Sequence, residues 1–166
     1  MATEEAPYTV LKNDDIFELR EYPPQILAEI IVEGELEDAG NKAFRPLFRY
    51  ISGDNISRGK IAMTAPVSQE QKGEKISMTA PVSQQSIQGK WAVSFMMPGS
   101  YTMETLPTPD DSNIKLRQVP ARRVAVVRYS GFWSEKKYLL QKEKLEKWIK
   151  DNRFTVTGDP VWARYT

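Results

Sequence analysis

Apolar, β-favouring residues recur through "YTVLKNDDIFELREY" (8–22) and "QILAEIIVEG" (25–34), which predicts β-strand runs. Pro23-Pro24 between them cannot continue a ladder and marks a break. Residues 1–7 read as a frayed end. The period then changes. In "EDAGNKAFRPLFRYISG", Phe44, Leu47, Phe48 and Ile51 stand at i, i+3, i+4 and i+7, the stripe of a helix packed by one face, with Gly53 as its stop. Pro46 inside that stripe predicts a kink, or a break with Pro46 in the first turn of a second piece.

Further along, "WAVSFMMP" (91–98) reads as a strand and "METLPTPDDSN" as a Pro-rich connector. "IKLRQV" and "RRVAVVRYSG" follow as strands. A long helix is predicted around 134–151, capped by Ser134, with Tyr138, Leu139, Leu145, Trp148 and Ile149 on its apolar side. Glu143 with Lys147, and Glu146 with Lys150, have i,i+4 spacing. The last strand is expected between Phe154 and Tyr165.

Two repeats stand out. "KIAMTAPVSQ" (60–69) returns as "KISMTAPVSQ" (75–84) after a polar segment ending near Gly73. Paired as a hairpin, Ser68 opposite Lys75, the copies place Ile61, Met63, Ala65, Val67, Ile76, Met78, Ala80 and Val82 on one face. The second repeat is longer. "LREYPPQILAEIIVEG" (19–34) aligns with "LRQVPARRVAVVRYSG" (116–131) at an offset of 97. Each copy precedes a helix. The expected architecture is therefore α+β, one domain over 8–166 with duplicated strand–strand–helix–strand halves, about 8–100 and 110–166, around a pseudo-twofold.

Composition narrows the chemistry. The chain has 166 residues, 40% apolar and 27% charged, with net charge +1. That is enough length for a core without staples, and no overall field attracts nucleic acid or anionic membrane. Cysteine and histidine are both absent. Disulfides, thiolate nucleophiles, Cys-based zinc sites and imidazole-dependent catalysis are excluded. Lysines 136–150 alternate with glutamates and read as a solvated helix face. No run reaches the length of a membrane span, and the acidic, polar start reads as cytoplasmic, with export as the alternative if a leader preceded it.

Several segments together resemble the SOUL haem-binding protein family, in the form of its bacterial and plant-like branch: "YTVLKNDDIFELREYP", "FRPLFRYISGDN", "KIAMTAPV", "SFMMP…LPTPDD", "VPARRVAVVRYSG" and "GDPVWARY". The resemblance implies a distorted eight-stranded antiparallel barrel, or a pair of four-stranded sheets, with two flanking helices. It also implies that the first helix borders a shallow apolar groove for haem or another tetrapyrrole, lined by Phe44, Leu47 and Phe48, with carriage or buffering as the role. Arg49 corresponds to a basic position placed near a haem propionate, and Lys42 or Arg45 would serve the second carboxylate. Met63 and Met78, with Met96 and Met97, are adaptable fillers for an irregular pocket. The family continues past "ARY" with a Pro-rich tail where this chain stops at Thr166, and the histidine ligation proposed for some members has no residue here.

The expectation is thus a haem held by apolar contact and propionate pairing, weakly or not ligated, with affinity near micromolar, about −8 kcal/mol. The bland reading of the same residues is core and exposed arginine. Tyr22, Tyr50 and Tyr129 are formal candidates for ferric iron that no spacing singles out. The alternatives are a hydrolase-like or tetrapyrrole-modifying enzyme with Glu29 or Glu33 as base, and a scaffold using Trp91, Phe132 and Trp133. No phosphate loop or nucleophile elbow supports catalysis, and the protein is read as a non-enzyme, monomeric or weakly dimeric.

Overall fold

The computed structural model describes residues 3–57, 73–131 and 134–165. Within them the order is β1 (Glu4–Glu5), β2 (Thr9–Asp14), β3 (Phe17–Tyr22), β4 (Gln25–Val32), α1 (Leu36–Ser52) and β5 (Asn55–Ile56). Next come β6 (Thr79–Ala80), β7 (Val82–Ile87), β8 (Lys90–Met96), β9 (Thr108–Pro109), β10 (Lys115–Val119), β11 (Arg122–Val127), α2 (Glu135–Asp151) and β12 (Val161–Arg164). The chain is α+β, as its periodicities predict.

Two sheets carry the fold. One has the order β10-β4-β8-β7-β12, the other β11-β3-β2, and short pairs β1-β6 and β5-β9 accompany them. No sheet closes among the described residues, so the eight-stranded barrel is not what these strands form. The prolines give the physical reason. Residues 25–29 pair with 115–119, and 17–22 with 122–127, in one antiparallel register whose partner numbers always add to 144. Pro23-Pro24 and Pro120 fall between the two ladders. Lacking N–H groups, they end one sheet and let both chain segments cross to the other.

Local chemistry places the remaining differences. Asp15 at φ 59° turns the first run into a β2–β3 hairpin, a turn that "NDD" signals. Glu4 and Glu5, where a frayed end is expected, pair in parallel with Thr79 and Ala80, and Ala6 is buried beside Tyr22 and Met96. Helix α1 runs unbroken through Pro46. Its buried face is Leu36, Ala39, Ala43, Leu47, Tyr50 and Ile51, packed on Ala28 and Ile30 of β4 and Val93 and Phe95 of β8.

In the second copy of the short repeat, Ile76 is buried and Met78 and Val82 pack against this same core, but Thr79 beside the buried Ala80 is buried as well. The hairpin is not as expected. Val82–Gln84 lie in β7 between β8 and β12, which leaves no free edge for a third strand. The first copy, with Met63, lies outside the described residues.

Helix α2 covers the three-stranded sheet. Ser134 caps it, its Oγ accepting from the Lys137 N–H at 3.2 Å. Trp148 stacks on Phe17 at 5.4 Å and donates through Nε1 to Asp14 Oδ2 at 3.0 Å. The i,i+4 ion pair that forms is Lys142–Glu146, at 3.9 Å and largely exposed.

The other face of β3 buries charge. Glu18 Oε2 accepts from Arg20 Nε at 3.1 Å and Oε1 from Arg128 Nε at 3.0 Å, while Arg20 Nη1 donates to Tyr22 Oη at 3.0 Å. The Arg20 guanidinium also lies 4.0 Å from the Tyr8 ring centre.

Buried phenols make the fold sensitive to alkali. Tyr50 is 1% exposed, and its hydroxyl donates to Pro107 O at 2.7 Å. Burial pushes this phenol well above the ordinary 10.0, with Tyr101 and Glu74 adding to the rise. Tyr165, 39% exposed, is pushed up to about 12, first by partial burial and then by Tyr22, and solvent screening makes its share of the effect the smaller one. Both folded values lie above the unfolded one, so their contribution is complete below pH 10 and is lost as pH climbs through and beyond 12. Denaturant midpoints at about pH 8 and about pH 11 should show lower stability at the higher pH, and Tyr50→Phe should flatten that fall.

Candidate functional site

Helix geometry sorts the residues of α1 into two faces. At 100° per residue, Leu47 falls with Ala43 and Tyr50, whereas Phe44 and Phe48 fall at the edge of the outer face, one turn apart. The structure follows that division. Leu47 is fully buried in the core and cannot touch a ligand outside the helix. Phe44 is 42% and Phe48 48% exposed. Their rings stack with centroids 5.7 Å apart and planes within 14°, and Phe44 leans on Phe95 of β8 at 5.6 Å. The i, i+3 spacing merged a core residue with two surface aromatics because aromatic and aliphatic positions count alike in a periodicity. The smaller buried residues Ala39 and Ala43 carry the real core stripe.

Arg45 and Arg49 stand beside the aromatic pair, both exposed. Neither guanidinium has a hydrogen-bond or ion-pair partner among the described residues. That sets them apart from Arg20, Arg117, Arg123 and Arg128, each of which faces a glutamate. Two like charges at i,i+4 destabilise a helix by about 0.2–0.5 kcal/mol, so packing gives no reason for this pair. Lys42 is differently placed. Its Nζ donates to Glu33 O at 3.4 Å, back toward the β4–α1 connection. Gly53, at φ 129°, ends the helix by donating to Arg49 O and Tyr50 O, which holds Arg49 in the last turn.

The other candidates scatter. Met78 is half-buried against the core, and Met96 and Met97 are buried, all as packing. Tyr50 is engaged by Pro107, and Tyr22 is buried at 8% exposure between Tyr8 and Arg20. Tyr129 is half-buried. Glu29 pairs with Arg117 at 2.8 Å, and Glu33 is largely exposed beside Lys90 at 3.6 Å. Trp91 packs on the core, while Phe132 and Trp133 lie outside the described residues. The buried Glu18–Arg20–Tyr22 cluster went unread in the sequence, because alternation along β3 assigns charged residues to solvent.

Two clefts lie elsewhere. One, about 200 Å³, is lined by Glu35, Leu36, Glu37, Asp38 and Glu135. The other, about 280 Å³, is lined by Pro7, Tyr8, Thr9, Glu21, Tyr22, Pro23 and Ala121. Neither includes the α1 aromatics or arginines. What the α1 face offers chemically is an exposed aromatic pair flanked by cations that have no partner among the described residues. No helix among the described residues is long and apolar enough to cross a membrane.

A family model described as SOUL heme-binding protein matches residues 3–166. No curated protein matches the chain.

Proposed function

The chain belongs to the SOUL heme-binding protein family, and we propose that it binds haem or a related tetrapyrrole on the outer face of α1 for carriage or buffering, without catalysis. One observation carries the placement: the exposed, stacked Phe44–Phe48 pair lies next to two arginines that have no described partner. A porphyrin face is planar and apolar and its propionates are anionic, so the two halves of the ligand meet the two halves of the surface. Arg45 and Arg49 are the propionate partners in this reading, with Lys42 secondary because it already has an acceptor. Leu47 and Met78 support the helix from below and do not line the site. The face would hold the ring by contact and charge, in a shallow groove, with weak or no ligation of iron.

The same reading takes residues 8–166 as one domain made of two repeated halves. The register supports it. An offset of 97 carries the end of β3 at Tyr22 onto the end of β10 at Val119, and the start of β4 at Gln25 onto the start of β11 at Arg122.

Hemin titration tests the function. The Soret band and tryptophan fluorescence should change saturably at one ligand per chain, against an albumin control. Arg49→Ala should weaken hemin binding about five- to tenfold through the lost charge-assisted contact. Its melting temperature should stay within about 2 °C of the parent, as for a surface substitution. Unsaturable change, or unaltered affinity with a large stability loss, would remove Arg49 from the site.

A further inference from the structure

Resting on the ligand reading of α1 just given, we infer that this face recognises planar polycyclic rings that carry an anionic group on a side chain, irrespective of any metal, and that phosphorylated flavins are ligands of the same site. The face itself carries the inference. Around the aromatic pair the outer surface of α1 presents Asn41, Phe44, Arg45, Phe48, Arg49 and Ser52, none of which is a usual iron ligand, while the exposed carboxylates Glu37 and Asp38 lie in the first turn. What the face reads is flatness, through the exposed Phe44–Phe48 stack.

The anionic group is read by Arg45 and Arg49. Residues at i and i+4 have Cβ atoms about 5–6 Å apart, close enough for both guanidinia to converge on one group. A phosphate dianion offers three oxygens to two forked donors, and guanidinium pairs bidentately with phosphate as it does with carboxylate. A single phosphate therefore satisfies both arginines, which have no other partner among the described residues. The isoalloxazine ring of flavin mononucleotide supplies the flat part, and the phosphate at the end of its ribityl chain the anionic group.

The experiment uses the whole chain. Flavin mononucleotide is titrated by fluorescence anisotropy, with riboflavin as the phosphate-free probe and hemin as competitor. Saturable binding of flavin mononucleotide is expected, at least about tenfold tighter than riboflavin. Hemin should displace it, and Arg45→Ala/Arg49→Ala should abolish the preference while leaving the melting temperature unchanged. Equal binding of the two flavins overturns the inference. So does failure of flavin mononucleotide beside hemin binding that depends on Phe48, an outcome that leaves the tetrapyrrole reading standing. Failure of hemin and both flavins overturns the two together.

Discussion

Glu18→Ala is expected to destabilise the protein by about 3–5 kcal/mol, the usual consequence of removing one partner from a buried ion pair. The Arg20 side chain is 5% exposed and that of Glu18 4%, so the arginine left behind has no water to turn to. Tyr22 remains as an acceptor and Tyr8 as a ring beside it, but neither carries compensating charge. Arg128, 59% exposed, can return to solvent and adds little. For a chain of this length the melting temperature should fall by roughly 10 °C or more. Glu18→Leu combined with Arg20→Met should recover most of the loss, because an apolar pair is not charged for desolvation. A single variant as stable as the parent would mean that the carboxylate does not hold the arginine.

Phe48→Asp should have the largest effect on ligand. It removes the outer ring of the stacked pair and sets a negative charge beside Arg45 and Arg49, where propionates are proposed to sit. Loss of an aromatic contact worth about 1.5–3 kcal/mol, with like-charge repulsion added, corresponds to a hemin affinity roughly a hundredfold lower. Phe48 is 48% exposed and lies outside the core cluster, so the melting temperature should barely move. Phe44 is a poorer choice, since it also packs against Phe95. Parallel hemin titration and thermal melts decide the matter. Unchanged affinity would take the ligand away from the outer face of α1.

Much of the architecture is legible along the chain because it rests on periodicity and punctuation. Strands β4, β8, β10 and β11, both helices and the Ser134 cap all follow from local patterns. What escapes is non-local. Nothing in "MTAPV" tells that Thr79 and Ala80 pair with Glu4 and Glu5, or that β7 has both edges taken. The i,i+4 pairs expected at Glu143 and Glu146 yield to Lys142–Glu146, as befits exposed charges of small energy. At the candidate site the residue types could be read but their orientation could not. Phe44, Leu47 and Phe48 look equivalent in the sequence, and only the packing on β4 and β8 separates one buried residue from two available ones.

The shared register of the two ladders has a consequence for synthesis. Phe17 pairs with Val127 and Glu29 with Lys115, so β3, already beside β2, and β4, beside β8, each fill their second edge only after most of the chain exists. A nascent polypeptide emerging from the ribosome carries β3 and β4 as waiting edges until β10 and β11 are made. Such non-local pairing slows folding and prolongs exposure of unpaired strands. The protein should therefore depend on chaperone protection during translation more than a helical bundle of equal length, and a chain truncated before β10 should aggregate rather than fold.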